Sequence, residues 1–493
     1  MPGGNVHLVV VHHGLWGSPE NTAYLCTTLA RFHGGVATPS SKLTPPESEA
    51  TLSAHADTHA NAGADTRLVV HNSSANAADH TYDGIDWCAE RLVAEIYAQI
   101  TALEYDEARV TKLSLVGYSL GGLVVRYAAG LMYLDGVFGD RTATVDFKSR
   151  PEAASLSTIA TPHLGILETG TTFSKVAAFF GGRILGRTGT QLYLKDRSWI
   201  PSKGSQGMCL LEALVDDRFA FISALKLFKR IDIYANAVAD LTVPYRTAAF
   251  EQHDPFVLPL TLERDPDFPV LLTSYTSKTP EPKSTWSKVS SKLSPRNLPW
   301  ILNPQRIPFR FPLNYAAWLG LPILVPVMIG LVLHKLKSDS KVSNKRVAQF
   351  EQKYAQDHNH PPASAADEMQ QKRFARLLAT VEADAEESLR ELGEDFVDIQ
   401  PKTPSHDNIN STPTSISTTA NNTAKSELPL SDIQNRIAST LNNKAILPQV
   451  QKHLAHFDDV LNAHAVIIVR TTTIDAHKKG IPLINAFTHR FAL

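Results

Sequence analysis

The stretch Gly117-Tyr118-Ser119-Leu120-Gly121 sets a serine between two glycines. The apolar run Leu113–Val116 precedes it and the helix-forming run Gly122–Met132 follows. A sharp strand-to-helix turn of this kind strains the serine backbone and needs small residues on either side, where neighbouring chain comes close. It also exposes the hydroxyl at a helix N-terminus, where the Leu120 N–H can donate to an oxyanion. That is the chemistry of an acyl-transfer nucleophile, which needs a base and a carboxylate that orients the base. On such an elbow the chain order is serine, then acid, then histidine. Asp240, in "IDIYANAVADLTVPY", sits in the loop just past a strand, with Pro244 fixing the next turn; Asp232 lies inside the strand. The base is less determined, because the chain holds 19 histidines. His358, His360 and His406 fall in polar stretches that cannot position them, and His253 follows Asp240 too closely for another strand. His464 in "NAHAVIIVR" has the right order and stands at a loop-to-apolar boundary, but His453, His456 and His477 compete on spacing alone. At the other end of the chain, "VVVHHGLWG" runs from a strand into a loop. The Leu15 N–H there is placed to be a second oxyanion donor, Gly14 and Gly17 let the loop turn back, and His13 is read as bracing it.

These residues need elements to hold them. Short β-branched runs at Leu8–Val11, Leu68–Val70, Leu113–Val116, Ser157–Ile159 and Ile231–Ala235 alternate with amphipathic segments such as Trp87–Ile100. Strands alternating with helices predict an α/β fold, a mostly parallel sheet with helices on both faces. The pattern covers residues 1–275 and returns at 426–493, a piece that carries His464 and is expected to complete the first domain.

Between those parts the composition changes. Residues 276–311 are rich in Pro, Ser, Lys and Arg, with Trp286 and Trp300 among the cations. Residues 312–337 hold an uncharged apolar run, Tyr315 to Leu333, long enough to cross a bilayer and flanked by basic residues on both sides. Basic flanks at both ends set no orientation, and Pro322 and Pro326 favour a bend. The expectation is a bent, monotopic insertion into a membrane with both ends on the cytosolic side; a spanning helix is the other geometry. Residues 338–425 read as a charged helix followed by a linker nearly free of large apolar residues, which predicts disorder. If His464 is the base, the Asp240 and His464 loops must both reach Ser119, and everything between them is an insertion rooted near the active-site edge of the sheet. The segment "FSKVAAFFGGRIL" at 173–185 is either a lid or an ordinary buried helix.

A net charge of −1 gives no global attraction to nucleic acid. Three scattered cysteines, Cys26, Cys88 and Cys209, fit a reducing compartment rather than a disulfide framework. The first residues show neither a basic n-region nor an h-region, so secretion is not expected. The chemistry calls for no metal and no organic cofactor.

Several motifs, in order, resemble the serine esterases of the α/β-hydrolase superfamily, which are related to lipases: "HHGLWG" at 12–17, "TYDGIDWCAERLVAEI" at 81–96, "VGYSLGGLVVRY" at 116–127, "IATPHLG" at 159–165, "LGRTGTQLYLKD" at 185–196, "ANAVADLTVPY" at 235–245 and "NAHAVIIVR" at 462–470. Within that family the chain is most similar to the fungal lipid-droplet phospholipases. The resemblance implies an α/β-hydrolase fold, lipid-ester substrates, action at a lipid-droplet or endoplasmic-reticulum surface, and the triad Ser119, Asp240 and His464. It singles out His464 among the competing histidines. A neutral-lipid or monoacylglycerol lipase would use the same triad, and a non-catalytic lipid-surface adaptor could reuse the same fold.

Overall fold

The computed structural model describes residues 4–38, 66–138, 145, 147–167, 185–197, 199, 207–257, 260–277, 324, 327, 330–331, 333–349 and 428–491 of the 493-residue chain. The segment 173–185 (save Leu185), the basic stretch 276–311 beyond Ser277, most of the apolar run and the linker to 425 lie outside the described residues.

Nine strands form one sheet: β1 (Asn5–His12), β2 (Val36–Thr38), β3 (Thr66–Asn72), β4 (Arg109–Tyr118), β5 (Glu152–Ile159), β6 (Arg230–Asn236), β7 (Leu260–Arg264), β8 (Leu271–Ser277) and β9 (Val450–Ala455). Their spatial order is β2-β3-β1-β4-β5-β6-β9-β8-β7. Every pairing from β2 across to β9 is parallel, and the β9–β8–β7 edge is antiparallel. The sheet is thus mostly parallel, as an α/β-hydrolase requires.

Parallel strands are buried on both faces, and β1 shows why its sequence is apolar nearly throughout. Alternate side chains point to opposite faces. Leu8 and Val10 join the core that contains the helices α2 (Ile85–Tyr105), α3 (Leu120–Leu134) and α4 (Ala220–Leu227). Val9 and Val11 join the opposite core with α1 (Ala23–Phe32) and the C-terminal helix Ile481–Arg490.

The strand β9 comes from the C-terminal segment and lies between β6 and β8, so its partners are supplied by the first 277 residues. The route of the insertion differs from the sequence expectation. β8 starts beside the C-terminal end of β9, with Leu271 opposite Ala455, and runs antiparallel to it. The chain therefore leaves the sheet at Ser277 on the edge remote from the ends of β1, β4 and β6. The physical reason is the β7–β8 hairpin, which turns the chain around after the Asp240 loop.

Part of the insertion nevertheless returns to the near edge. Residues 324, 327, 330 and 331 and the run 333–349 are helical; the latter is named α5. Leu324, Val327 and Leu331, spaced three and four apart on one helix face, are exposed. Ser340, Ser343 and Val347 on the later turns are buried. Among the described residues no helix is long and apolar enough to cross a membrane.

Candidate active site

The C-terminal ends of β1, β4 and β6 lie along one edge of the sheet, with His12 level with Gly117 and Tyr118 level with Ile159. In open α/β sheets that edge is where ligands bind. Three loops leaving it carry Leu15, then Ser119 with Leu120, and Asp240; the loop after β9, the parallel neighbour of β6, carries His464.

Ser119 is the turn between β4 and α3. Its φ of 55° and ψ of −125° are a left-handed, strained conformation for a residue with a side chain. The surroundings hold it there. Its N–H donates to the Ile159 carbonyl at 2.8 Å, and its own carbonyl accepts from the Gly122 N–H at 3.1 Å. The flanking glycines are needed for close approach. A Cβ on Gly121 would lie 2.4 and 2.5 Å from the carbonyl oxygens of His12 and His13. A Cβ on Gly14 would lie 2.7 Å from the Ser119 Cβ. The β1 loop is thus seated directly on the serine.

Ser119 Oγ lies 3.0 Å from Nε2 of His464, and His464 Nδ1 lies 3.0 Å from Oδ2 of Asp240. Ser119, Asp240 and His464 are all buried. The structure brings these three together although 345 positions separate the serine from the histidine. The other histidines that competed on sequence are elsewhere. His453 lies in β9 and binds Asp232 at 2.7 Å, while His456 faces Arg264 and Asp458. Asp232, inside β6, is committed to His453 and Arg230.

The Asp240 carboxylate has defined partners for both oxygens. Oδ1 accepts from the Thr242 and Val243 N–H groups at 3.0 and 2.8 Å, and Oδ2 accepts from Asn236 Nδ2 at 2.7 Å as well as facing His464. Two oxygens so held fix the carboxylate plane and aim it at the imidazole. The acid and base loops are also tied to each other. The Ala463 N–H donates to the Ala239 carbonyl at 2.7 Å, and Asn462 Oδ1 accepts from the Leu241 N–H at 3.3 Å.

The two backbone N–H groups expected to meet an oxyanion are those of Leu120 and Leu15. Leu120 is the first residue of α3, so its N–H has no intrahelical acceptor. Leu15 follows Gly14 in a turn closed by the Gly17 N–H on the Gly14 carbonyl at 3.0 Å, with Trp16 at a φ of 55°. His13 Nδ1 donates to the Gly14 carbonyl at 3.0 Å, a contact within the loop it was read as bracing.

Sequence reasoning missed Tyr118, a neighbour of His464, and Arg470, which holds Tyr118. Tyr118 donates its hydroxyl proton to the His464 carbonyl at 2.8 Å, and its ring lies 5.2 Å from the imidazole ring. Arg470 Nη2 in turn donates to the Tyr118 hydroxyl at 2.9 Å. The only sequence signal was position: Tyr118 is the residue just before Ser119, and the order of motifs assigns it nothing. A serine, an imidazole and a carboxylate in line can transfer an acyl group from an ester to water.

Comparison with known proteins agrees with that chemistry. The family described as "Putative serine esterase (DUF676)" matches residues 3–252. Among curated proteins, "Putative lipase ROG1" of Saccharomyces cerevisiae is 31% identical over 183 residues, 37% of this chain and 23% of the yeast protein. "Putative lipase YDL109C" of the same yeast is 33% identical over 178 residues, 36% of this chain and 24% of that one. The matched part thus spans about a quarter of the length of these relatives. Among solved structures, "Phospholipase PlaB from Legionella pneumophila" aligns with a TM-score of 0.25 and 15% identity, over 49% of this chain and 40% of that one. The lin2722 product of Listeria innocua aligns with a TM-score of 0.26 and 13% identity, over 50% and 77%.

Proposed function

The chain belongs to the family described as "Putative serine esterase (DUF676)", and from that premise we propose that it hydrolyses lipid esters through an acyl-enzyme on Ser119, with glycerophospholipids as the substrate class. The observation that carries the catalytic reading is the line Ser119 Oγ–His464 Nε2 and His464 Nδ1–Asp240 Oδ2, each step 3.0 Å.

In this mechanism His464 Nε2 takes the Ser119 proton as Oγ attacks the ester carbonyl. The carbonyl oxygen becomes an oxyanion, held by the N–H groups of Leu15 and Leu120. Asp240 holds the Nδ1–H tautomer and stabilises the imidazolium. Collapse breaks the ester bond, and the leaving alcohol receives the proton from His464. Water, deprotonated by the same imidazole, then attacks the acyl-enzyme, and collapse frees the fatty acid and regenerates Ser119. Nothing in these steps calls for a metal or an organic cofactor.

The lipid surface is supported by two features. The run Tyr315–Leu333 is uncharged and flanked by basic residues, and Leu324, Val327 and Leu331 are exposed on one helix face. We place the protein on the cytosolic face of the endoplasmic reticulum or on lipid droplets, held by 312–337. The yeast relatives carry the name "Putative lipase", and the second reading is a neutral-lipid or monoacylglycerol lipase, which the same assay separates. Purified full-length protein is given phospholipid and triacylglycerol or monoacylglycerol emulsions in parallel. Fatty acid released from phospholipid supports the proposal, and release from glycerides alone replaces it. Ser119→Ala should lower the rate on every substrate by about 10⁴-fold or more. A Ser119→Ala protein with full activity removes the nucleophile and the esterase reading with it.

A further inference from the structure

The segment Ala78–Tyr82, a short 3₁₀ turn, stands between two partners. On one side it grips the loop that carries Leu15. The Trp16 N–H donates to Thr81 Oγ1 at 3.1 Å, the Trp16 indole N–H donates to the Tyr82 hydroxyl at 2.5 Å, and the Ala78 N–H donates to the Gly17 carbonyl at 2.8 Å. On the other side it receives α5 from the insertion. Arg346 donates from Nη1 to Asp79 Oδ2 at 3.1 Å, from Nε to Asp83 Oδ2 at 2.9 Å and from Nη2 to Asp83 Oδ1 at 2.8 Å. Ser343 Oγ donates to the same Asp83 oxygen at 2.5 Å.

A second route runs through buried side chains. Asp83 Oδ2 also accepts from Arg91 Nη1 at 2.7 Å, and Arg91 Nε donates to Asn76 Oδ1 at 2.7 Å. Asn76 Nδ2 donates to His12 Nε2 at 2.9 Å, and His12 Nδ1 donates to the His13 carbonyl at 2.7 Å. The next residue is Gly14, seated on Ser119. Asp83, Asn76 and His12 are fully buried, so each bond is short of competing water and the arrangement is stiff.

We infer that Arg346 is a positioning residue for the oxyanion loop: by clamping Asp79 and Asp83 it fixes the Ala78–Tyr82 turn and the Asn76–His12 relay, and through them the Leu15 N–H. The inference rests on the serine-esterase reading of Ser119. It goes beyond that reading by giving a residue of the insertion a part in catalysis. The helix that carries Arg346 is continuous in sequence with the exposed face of Leu324, Val327 and Leu331, so the element nearest the proposed lipid surface is also the one that sets the oxyanion donor.

The test uses full-length protein and a soluble p-nitrophenyl ester, which needs no lipid surface. Arg346→Gln removes the charge and the fork. It should lower kcat about tenfold, because a misplaced donor is felt only in the transition state, with KM changed less than about two-fold. Labelling of Ser119 by a fluorophosphonate should slow in parallel. Arg346→Lys keeps one charge-assisted bond and should recover part of the loss. Tyr82→Phe removes only the hydroxyl that holds the Trp16 indole, and should also lower kcat. The two changes act on one bracket, so the double variant should fall well short of the product of the singles. An Arg346→Gln protein with wild-type kcat overturns the inference, as does a double variant whose losses simply multiply. If Arg346→Gln does not fold, the same cycle is run with Ser343→Ala, and multiplication there overturns it equally. A wild-type rate that survives Ser119→Ala would instead remove the esterase reading, so the two failures are distinct.

Discussion

At the scale of single residues, the site depends on what is missing as much as on what is present. Gly14 has no Cβ, and the Ser119 Cβ occupies the space one would fill, 2.7 Å away. Gly14→Ala should therefore displace the loop from the serine and shift the Leu15 N–H. The expected result is a kcat loss of about tenfold to a hundredfold, seen in steady-state kinetics on a soluble ester; an unchanged kcat would show that the loop does not serve the oxyanion. Tyr118 is a subtler case. Its hydroxyl ties the His464 carbonyl to the nucleophile elbow, with Arg470 behind it. Tyr118→Phe keeps the ring against the imidazole and removes that tie, and a kcat fall of about three- to tenfold with little change in KM is expected. Equal kcat for Tyr118→Phe and wild type would leave His464 held by Asp240 and packing alone. Ser119, the proposed nucleophile, was legible because glycine, serine and glycine at fixed offsets record a backbone constraint. Asp240 was legible because a carboxylate just past a strand has a limited set of uses. His464 was not separable from His453 by spacing, since both stand beside apolar runs, and only the resemblance chose between them. Asn236, which holds Asp240, left no mark in the sequence that distinguishes it from any polar residue ending a strand.

At the scale of elements, β1 shows how an apolar strand can carry titratable groups. His7 and His12 are fully buried in it. Burial, with Lys112 and His33 nearby, pulls the His7 pKa down to about 3. Burial and the neighbouring His13 do the same to His12, also to about 3, against the opposing hydrogen bond to the His13 carbonyl and the charge of Glu95. Both imidazoles are neutral in the fold and titrate near 6.5 when the chain unfolds. As pH falls below 6.5 the unfolded chain binds protons that the folded chain refuses until about pH 3, so stability rises with pH through that window. At pH 5 each of the two favours unfolding by about 2 kcal/mol. Thermal melts should be flat above about pH 7 and fall steadily as pH drops from 6.5 toward 5, before most carboxylates titrate. A melting temperature constant over that range would show that these imidazoles are solvated. The strands β1, β3, β4, β5 and β6 were readable from their β-branched runs. The hairpin β7–β8 was not: Leu260–Arg264 alternates over only five residues, and its inward side chains are only partly buried. That unread hairpin is what reverses the chain and sends the insertion out from the remote edge.

At the scale of the whole molecule, the sheet is assembled from two distant parts of the chain, and we propose two tasks for the segment between them. Its apolar run is separated from α5 by no break in the sequence, and α5 binds Asp79 and Asp83 through Arg346. The two tasks can be parted by where the chain is cut. Removing 312–337 deletes Leu324, Val327 and Leu331 but keeps Ser343, Arg346 and the contacts with Asp79 and Asp83. If 312–337 is the lipid anchor, the shortened protein should move from the membrane or droplet fraction to the soluble fraction on cell fractionation. Hydrolysis of a soluble ester should persist, because the bracket on the Leu15 loop is retained, while hydrolysis of vesicle or droplet lipid falls with the lost surface concentration. A hydrophobic face of this kind contributes roughly 25 cal/mol for each Å² it buries in lipid, so losing three large side chains from it removes most of the affinity of a surface contact. A deleted protein that stays with the membrane fraction would place the anchor elsewhere, in the basic stretch 276–311 or the exposed Trp16. A deleted protein that becomes soluble and also loses soluble-ester hydrolysis would show that the turns before α5 are needed to dock Arg346, which joins anchoring and catalysis in one element.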